Sequence, residues 1–157
     1  MAELKVVHNT FVIEKQFTRP AAEVFDAISD PEKARKWHSD ERSSEIISYE
    51  HDFREGGFER MVYKMGAATP IPGMTLENEG RFQEIVPGER VVVASTMSLG
   101  GRRISVTQST FELLPEGEGT KLVFTHQGAF LPGADGPEMR RQGWETLLER
   151  VAKVVEG

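Results

Sequence analysis

The chain contains no cysteine. That excludes disulfides and thiolate metal sites. No apolar run approaches the ~20 residues needed to span a bilayer. The opening segment MAELKVVHNT lacks the apolar centre of a secretory signal, so a cytoplasmic protein is the expectation. Positive charge is also sparse. The net charge is −6, and adjacent arginines occur only at Arg102-Arg103 and Arg140-Arg141. Both pairs read as solvated turn or helix residues. Nucleic acid is therefore not an expected partner, because phosphate binding needs a clustered basic face. Internal repeats, low-complexity tracts and a linker able to divide the chain are missing too. What remains is 157 residues, 38% hydrophobic and 28% charged, an ordinary soluble balance. A single domain over 1–157 follows, long enough to bury roughly 70% of its unfolded surface.

Periodicity divides the chain into a strand, two short helices, a run of about six strands and a long terminal helix. In TFVIEKQFTR, Phe11, Ile13, Lys15 and Phe17 alternate with Val12, Glu14 and Gln16, the pattern of a half-buried strand. Pro20 suits a first helical turn, and Val24, Phe25 and Ile28 share one helical side. Asp30 before Pro31 is placed to cap a second helix that runs to about Trp37, followed by a loop over 38–44. Strands are predicted over 44–51, 58–65, 74–85, 91–97, 102–114 and 120–130, separated by turns at 54–57, 86–90, 98–101 and 115–119 and by a loop at 66–73. After a loop at 131–137, Trp144, Leu147, Leu148, Val151, Val154 and Val155 form one helical stripe. Glu149 and Lys153 are spaced as an i, i+4 ion pair. Strands joined by short turns are antiparallel. One such sheet with one striped helix closes by curving around it, leaving uncovered apolar concavity as a pocket.

Five stretches carry a family likeness: EVFDAISDPEKARKW (23–37), DFREGGFERM (52–61), GRFQEIVPGERVV (80–92), VTQSTFELLPEGEGTKLVFTHQGAF (106–130) and GWETLLERVAKVV (143–155). The chain resembles the START-like or SRPBCC superfamily, the helix-grip fold of the birch pollen allergen. Within it, the sequence is most similar to the homologues of the activator of the heat-shock chaperone ATPase. The resemblance covers nearly the whole chain. It implies an α+β helix-grip domain with a curved antiparallel sheet of about seven strands wrapped around the C-terminal helix. It leaves function open, because this superfamily includes cyclases, hydrolases, carriers and co-chaperones.

Strand parity places His126 on the face of Leu122 and Phe124, which we take as concave. A neutral core histidine is the first reading of such a ring, a ligand anchor the second and a general base the third. No nucleophile partner is evident. Met61, Tyr63 and Met65 share one face, Phe82 shares parity with Leu76 and Asn78, and Met97 ends a neighbouring strand. Methionines there make an adaptable wall or fill core gaps. Strand 102–114 conflicts with itself: Ile104 and Val106 take one parity, Phe111 and Leu113 the other. Either a bulge shifts its register or Ser105, Thr107 and Ser109 face the concavity. Gly143 before Trp144 suggests close packing of the helix on the sheet. His38, beside Asp40 and Glu41, and His51, between Glu50 and Asp52, lack metal-ligand spacing and read as solvated loop charge. GEGTK (117–121) lacks the full phosphate-loop pattern and reads as a hairpin.

The favoured expectation is a binder of a small hydrophobic molecule between sheet and C-terminal helix, without cofactor or metal. Its lining would draw on Trp37, Met61, Tyr63, Phe82, Met97, His126, Phe130 and Trp144. The alternatives are a cyclase- or hydrolase-type enzyme with His126 as base, and a module that engages a chaperone or other protein partner through its convex face.

Overall fold

A computed structural model describes residues 5–39 and 44–157. The first alternating segment is strand β1 (Val7–Phe17), with Phe11, Ile13 and Phe17 buried and their neighbours outward. Helices α1 (Ala21–Ser29) and α2 (Pro31–His38) follow. Pro20 is the residue before α1, extended at ψ 156°, and not its first helical residue. Asp30 caps α2 as its sequence context predicts: its carboxylate accepts from the backbone N–H of Glu32 and Lys33. Asp30 also sits before proline, where the helical region is disfavoured, and this extended residue separates the two helices. Of the loop expected over 38–44, His38 is the last residue of α2 and 40–43 lie outside the described residues.

Six further strands are β2 (Ser44–His51), β3 (Phe58–Met65), β4 (Thr75–Val86), β5 (Arg90–Leu99), β6 (Arg102–Glu116) and β7 (Gly119–Phe130). With β1 they form one seven-stranded antiparallel sheet in the order β1-β7-β6-β5-β4-β3-β2. The first strand thus closes one side of a meander, and β1 and β2 are the edges. Helix α3 (Pro137–Glu156) packs on β1, α1 and α2. Phe82, Phe111, Phe124 and Leu122 from the sheet meet Val24, Trp37, Leu148 and Val151 from the helices in the core. This is the α+β helix-grip architecture.

Helix α3 begins seven residues before Trp144. Proline at its first position needs no N–H partner, so Gly136-Pro137 opens the helix within the segment expected to be loop. Three local expectations change. Arg140 is buried on the inner side of α3 and not solvated. A Cβ on Gly143 would meet open space, so this glycine is not a close-packing device. Glu149 pairs with Lys15 of β1, tying the helix to the sheet.

The parity conflict in β6 resolves through both proposed devices. Met97 pairs with Ser105 and Ser98 with Arg103, leaving Ile104 as an extra residue. Beyond this bulge, Ser105, Ser109, Phe111 and Leu113 are buried on the concave face while Val106 is exposed. A second bulge lies in β2. Ile46 pairs with Tyr63 and Ser48 with Val62, so Ile47 is unpaired. Inserting one residue exchanges the faces of all that follow. Ile47 points outward, and Tyr49 and His51 are brought opposite Met61 and Glu59.

Candidate functional site

The concave face carries a buried charge that sequence reading missed. Glu59 lies on β3 with the parity of Met61 and Tyr63, and its side chain is 12% exposed. His51 Nδ1 is 3.1 Å from Glu59 Oε2, and His38 Nε2, at the end of α2, is 3.6 Å from the same oxygen. Both histidines are buried rather than solvated loop charge. Neither contact has directed hydrogen-bond geometry, so the attraction is electrostatic. Burial would raise the carboxyl's pKa. The two imidazoles outweigh it and hold Glu59 at about 2, ionised across the physiological range. The ring of His51 is fixed by its Nε2, 3.1 Å from the Ser29 carbonyl. The ring of His38 stacks on Trp37, with centroids 3.7 Å apart. Among the described residues, no group of three or more His, Asp or Glu is arranged to hold a metal ion.

Two tyrosines adjoin this cluster. The Tyr63 hydroxyl lies 3.2 Å from the His38 carbonyl and 3.0 Å from Met61 Sδ. Tyr49 stacks near His51, and its hydroxyl is buried without a partner among the described residues. Burial, reinforced by the Glu59 charge, pushes both phenols above their ordinary pKa.

A narrow internal cavity of about 30 Å³ lies between the sheet and the helices. Trp37, Phe82, Phe111 and Trp144 supply aromatic walls; His38 from α2 and Glu59, Asn78, Ser95 and Ser109 from the strands add polar groups. Such a volume accepts about one water. The concavity is thus mostly filled by side chains, and this narrow space is what remains of the pocket expected between sheet and helix. Gly80 adjoins this space, and a Cβ there would come within 2.7 Å of Ser95 Oγ.

His126 occupies a different part of the concave face. It is 1% exposed and stacks on Phe11 at 4.6 Å between centroids, with Phe130 at 6.1 Å. Burial and then the nearby Arg140 charge depress its pKa to about 4, so the ring is neutral at neutral pH. Its Nδ1 has no hydrogen-bond partner among the described residues. Arg140 is held by both oxygens of Asp135 at 2.7 and 2.8 Å, donates to Ser105 Oγ at 3.1 Å and lies over the Phe130 ring. Of the eight residues named from sequence, Trp37, Phe82 and Trp144 line the cavity. Met61 and Tyr63 are buried further along β3, beyond Glu59; Met97 is half-buried opposite Asn78 and Ser105; His126 and Phe130 lie with Phe11 in an aromatic group that Phe124 joins to Trp144.

Residues 18–156 match the model of the family described as activator of Hsp90 ATPase homolog 1-like protein. The chain belongs to this family. Activator-homologue likeness extends to solved structures. The protein Mll3558 from Rhizobium loti is 35% identical, with 95% of this chain and 98% of that chain covered and a TM-score of 0.82. A protein from Rhizobium leguminosarum is also 35% identical, with 96% of each chain covered and a TM-score of 0.88. Protein CV1439 from Chromobacterium violaceum is 29% identical over 95% of this chain and 99% of that chain, with a TM-score of 0.77. No curated protein matches the sequence. The activator-homologue fold is compatible with ligand binding, and no helix among the described residues is long and apolar enough to cross a membrane.

Proposed function

We propose that this protein binds a small, largely apolar molecule between the sheet and α3. The observation that carries the reading is the internal cavity itself: four aromatic rings wall it, and a few polar side chains, Glu59 among them, complete its lining. Apolar lining with a few placed polar groups is the general composition of ligand sites. At about 30 Å³ the cavity is far below the volume of a drug-sized ligand. Occupancy therefore requires its walls to separate, and Trp144, only half-buried on α3, is the wall residue best placed to yield.

Native mass spectrometry of the purified protein and thermal denaturation with apolar ligands test this together. Support is a retained small molecule or a rise in melting temperature that is lost when Trp144→Ala or Phe82→Ala perturbs the wall. A protein that carries nothing and gives the same melting curve with every ligand refutes the reading. The enzyme alternative through His126 has no comparable support, because that ring lies in the Phe11–Phe130 group and does not line the cavity.

A further inference from the structure

We propose that the ligand of this cavity carries a protonated amine, received by Glu59, with its apolar body against the rings of Trp37, Phe82, Phe111 and Trp144. This rests on the reading of the cavity as a ligand site. The first support is the sign of the charge. Among the described residues, the cavity lining holds the Glu59 carboxylate and neither lysine nor arginine. That carboxylate repels an anionic head group and attracts an ammonium group.

The second support is hydrogen-bond capacity. Glu59 Oε2 lies 3.1 Å from His51 Nδ1 and 3.6 Å from His38 Nε2, and neither ring gives it a directed hydrogen bond. A carboxylate is acceptor-only. Asn78, Ser95 and Ser109 add further oxygens around the same space. An ammonium has three donors for such a set, and a hydroxyl has one. His51 is not free to compete for the ligand, because its ring is anchored at the Ser29 carbonyl. The third support is the wall. Aromatic faces attract cations, tryptophan most strongly, and two of the four rings are indoles.

The test is a titration at neutral pH with three probes that share a phenyl ring and a two-carbon spacer: phenethylamine, 2-phenylethanol and 3-phenylpropionate. Binding is read by saturation-transfer NMR and by quenching of the two tryptophans, in wild type and in Glu59→Gln. We expect the amine to bind at least about tenfold tighter than the alcohol, the contribution expected of a desolvated charge and its cation–π contacts. The carboxylate should not bind, and Glu59→Gln should abolish the amine's preference. If the variant does not fold, the wild-type ranking decides alone. An alcohol that binds as tightly as the amine, or a carboxylate that binds tighter, overturns the amine assignment and leaves the cavity reading standing. Failure of all three probes overturns both.

Discussion

The indole Nε1 of Trp37 donates to the Ala27 carbonyl at 2.9 Å. In a continuous helix that carbonyl would accept from the N–H of residue 31. Residue 31 is proline and has none. Trp37 thus fills a place that the sequence itself leaves empty, and folds α2 back against α1 in doing so. The Ser29 carbonyl, two residues on, is met by the His51 ring from β2. The end of α1 therefore positions an aromatic wall of the cavity and one histidine of the Glu59 cluster.

Trp37→Phe keeps most of the apolar surface but orphans the Ala27 carbonyl. A buried polar group left unpaired costs about 1–3 kcal/mol. Urea denaturation should show a lower midpoint at an unchanged slope. A midpoint equal to wild type would mean that water replaces the indole without cost.

Glu59 links acid stability to the cavity. Its folded pKa of about 2 lies below the ordinary carboxyl value of 4.5. A depressed carboxylate stabilises the fold fully above the unfolded value, and that contribution is lost as pH falls from about 4.5 towards about 2. Glu59→Gln should be less stable than wild type at pH 7 and flatter across the acid window. Thermal melts from pH 7 to 2 measure both; parallel profiles would contradict the assignment.

His126 acts in a higher window. Its pKa of about 4 lies below the ordinary 6.5, so the unfolded chain binds a proton more readily than the native one. Stability is fully retained above about 6.5 and declines as pH falls towards about 4. His126→Phe extends the stack on Phe11 and Phe130 without a titrating group. It should match or exceed wild-type stability at pH 5 and lose the slope between pH 6.5 and 4. The same variant should still bind cavity ligands, since residue 126 is not among the lining.

Arg140 and Asp135 form the buried ion pair of the α3 entrance, with side-chain exposures of 7% and 22%. Arg140→Ala removes one partner and leaves the other charge partly buried, which costs about 3–5 kcal/mol in such pairs. Removing both charges as Asp135→Asn with Arg140→Met should recover part of that loss. A double-mutant cycle by chemical denaturation reads the coupling; strictly additive effects would show that the pair is not coupled.

The antiparallel run from β2 to β7 and the helix-grip outline were legible, and so was the inward face of β7, because alternation at Leu122, Phe124 and His126 is unbroken. The stripe of α3 was legible for the same reason. Its true start was not: the apolar period is silent over the first turns, and only Gly136-Pro137 marked the opening. Reading that signal would have placed Arg140 on a helix facing the core. Glu59 could also have been found, since it shares parity with Met61 and Tyr63, and an acid among inward residues signals a buried charge. His51 was harder. Ile46-Ile47 satisfies either face, and only pairing with β3 shows that Ile47 is the inserted residue. The Glu59 cluster also needs His38 from a helix, a long-range approach that no local pattern encodes.

The unpaired Ile47 has a consequence at the margin of the molecule. It sits on β2, which has no neighbour on its far side among the described residues. A flat, regular margin would offer another chain an uninterrupted template for amyloid-like stacking. Here the row of donors and acceptors breaks midway, so an approaching strand could follow only one segment before losing step. The kink that turns an imidazole inward thereby also interrupts the pairing edge of β2.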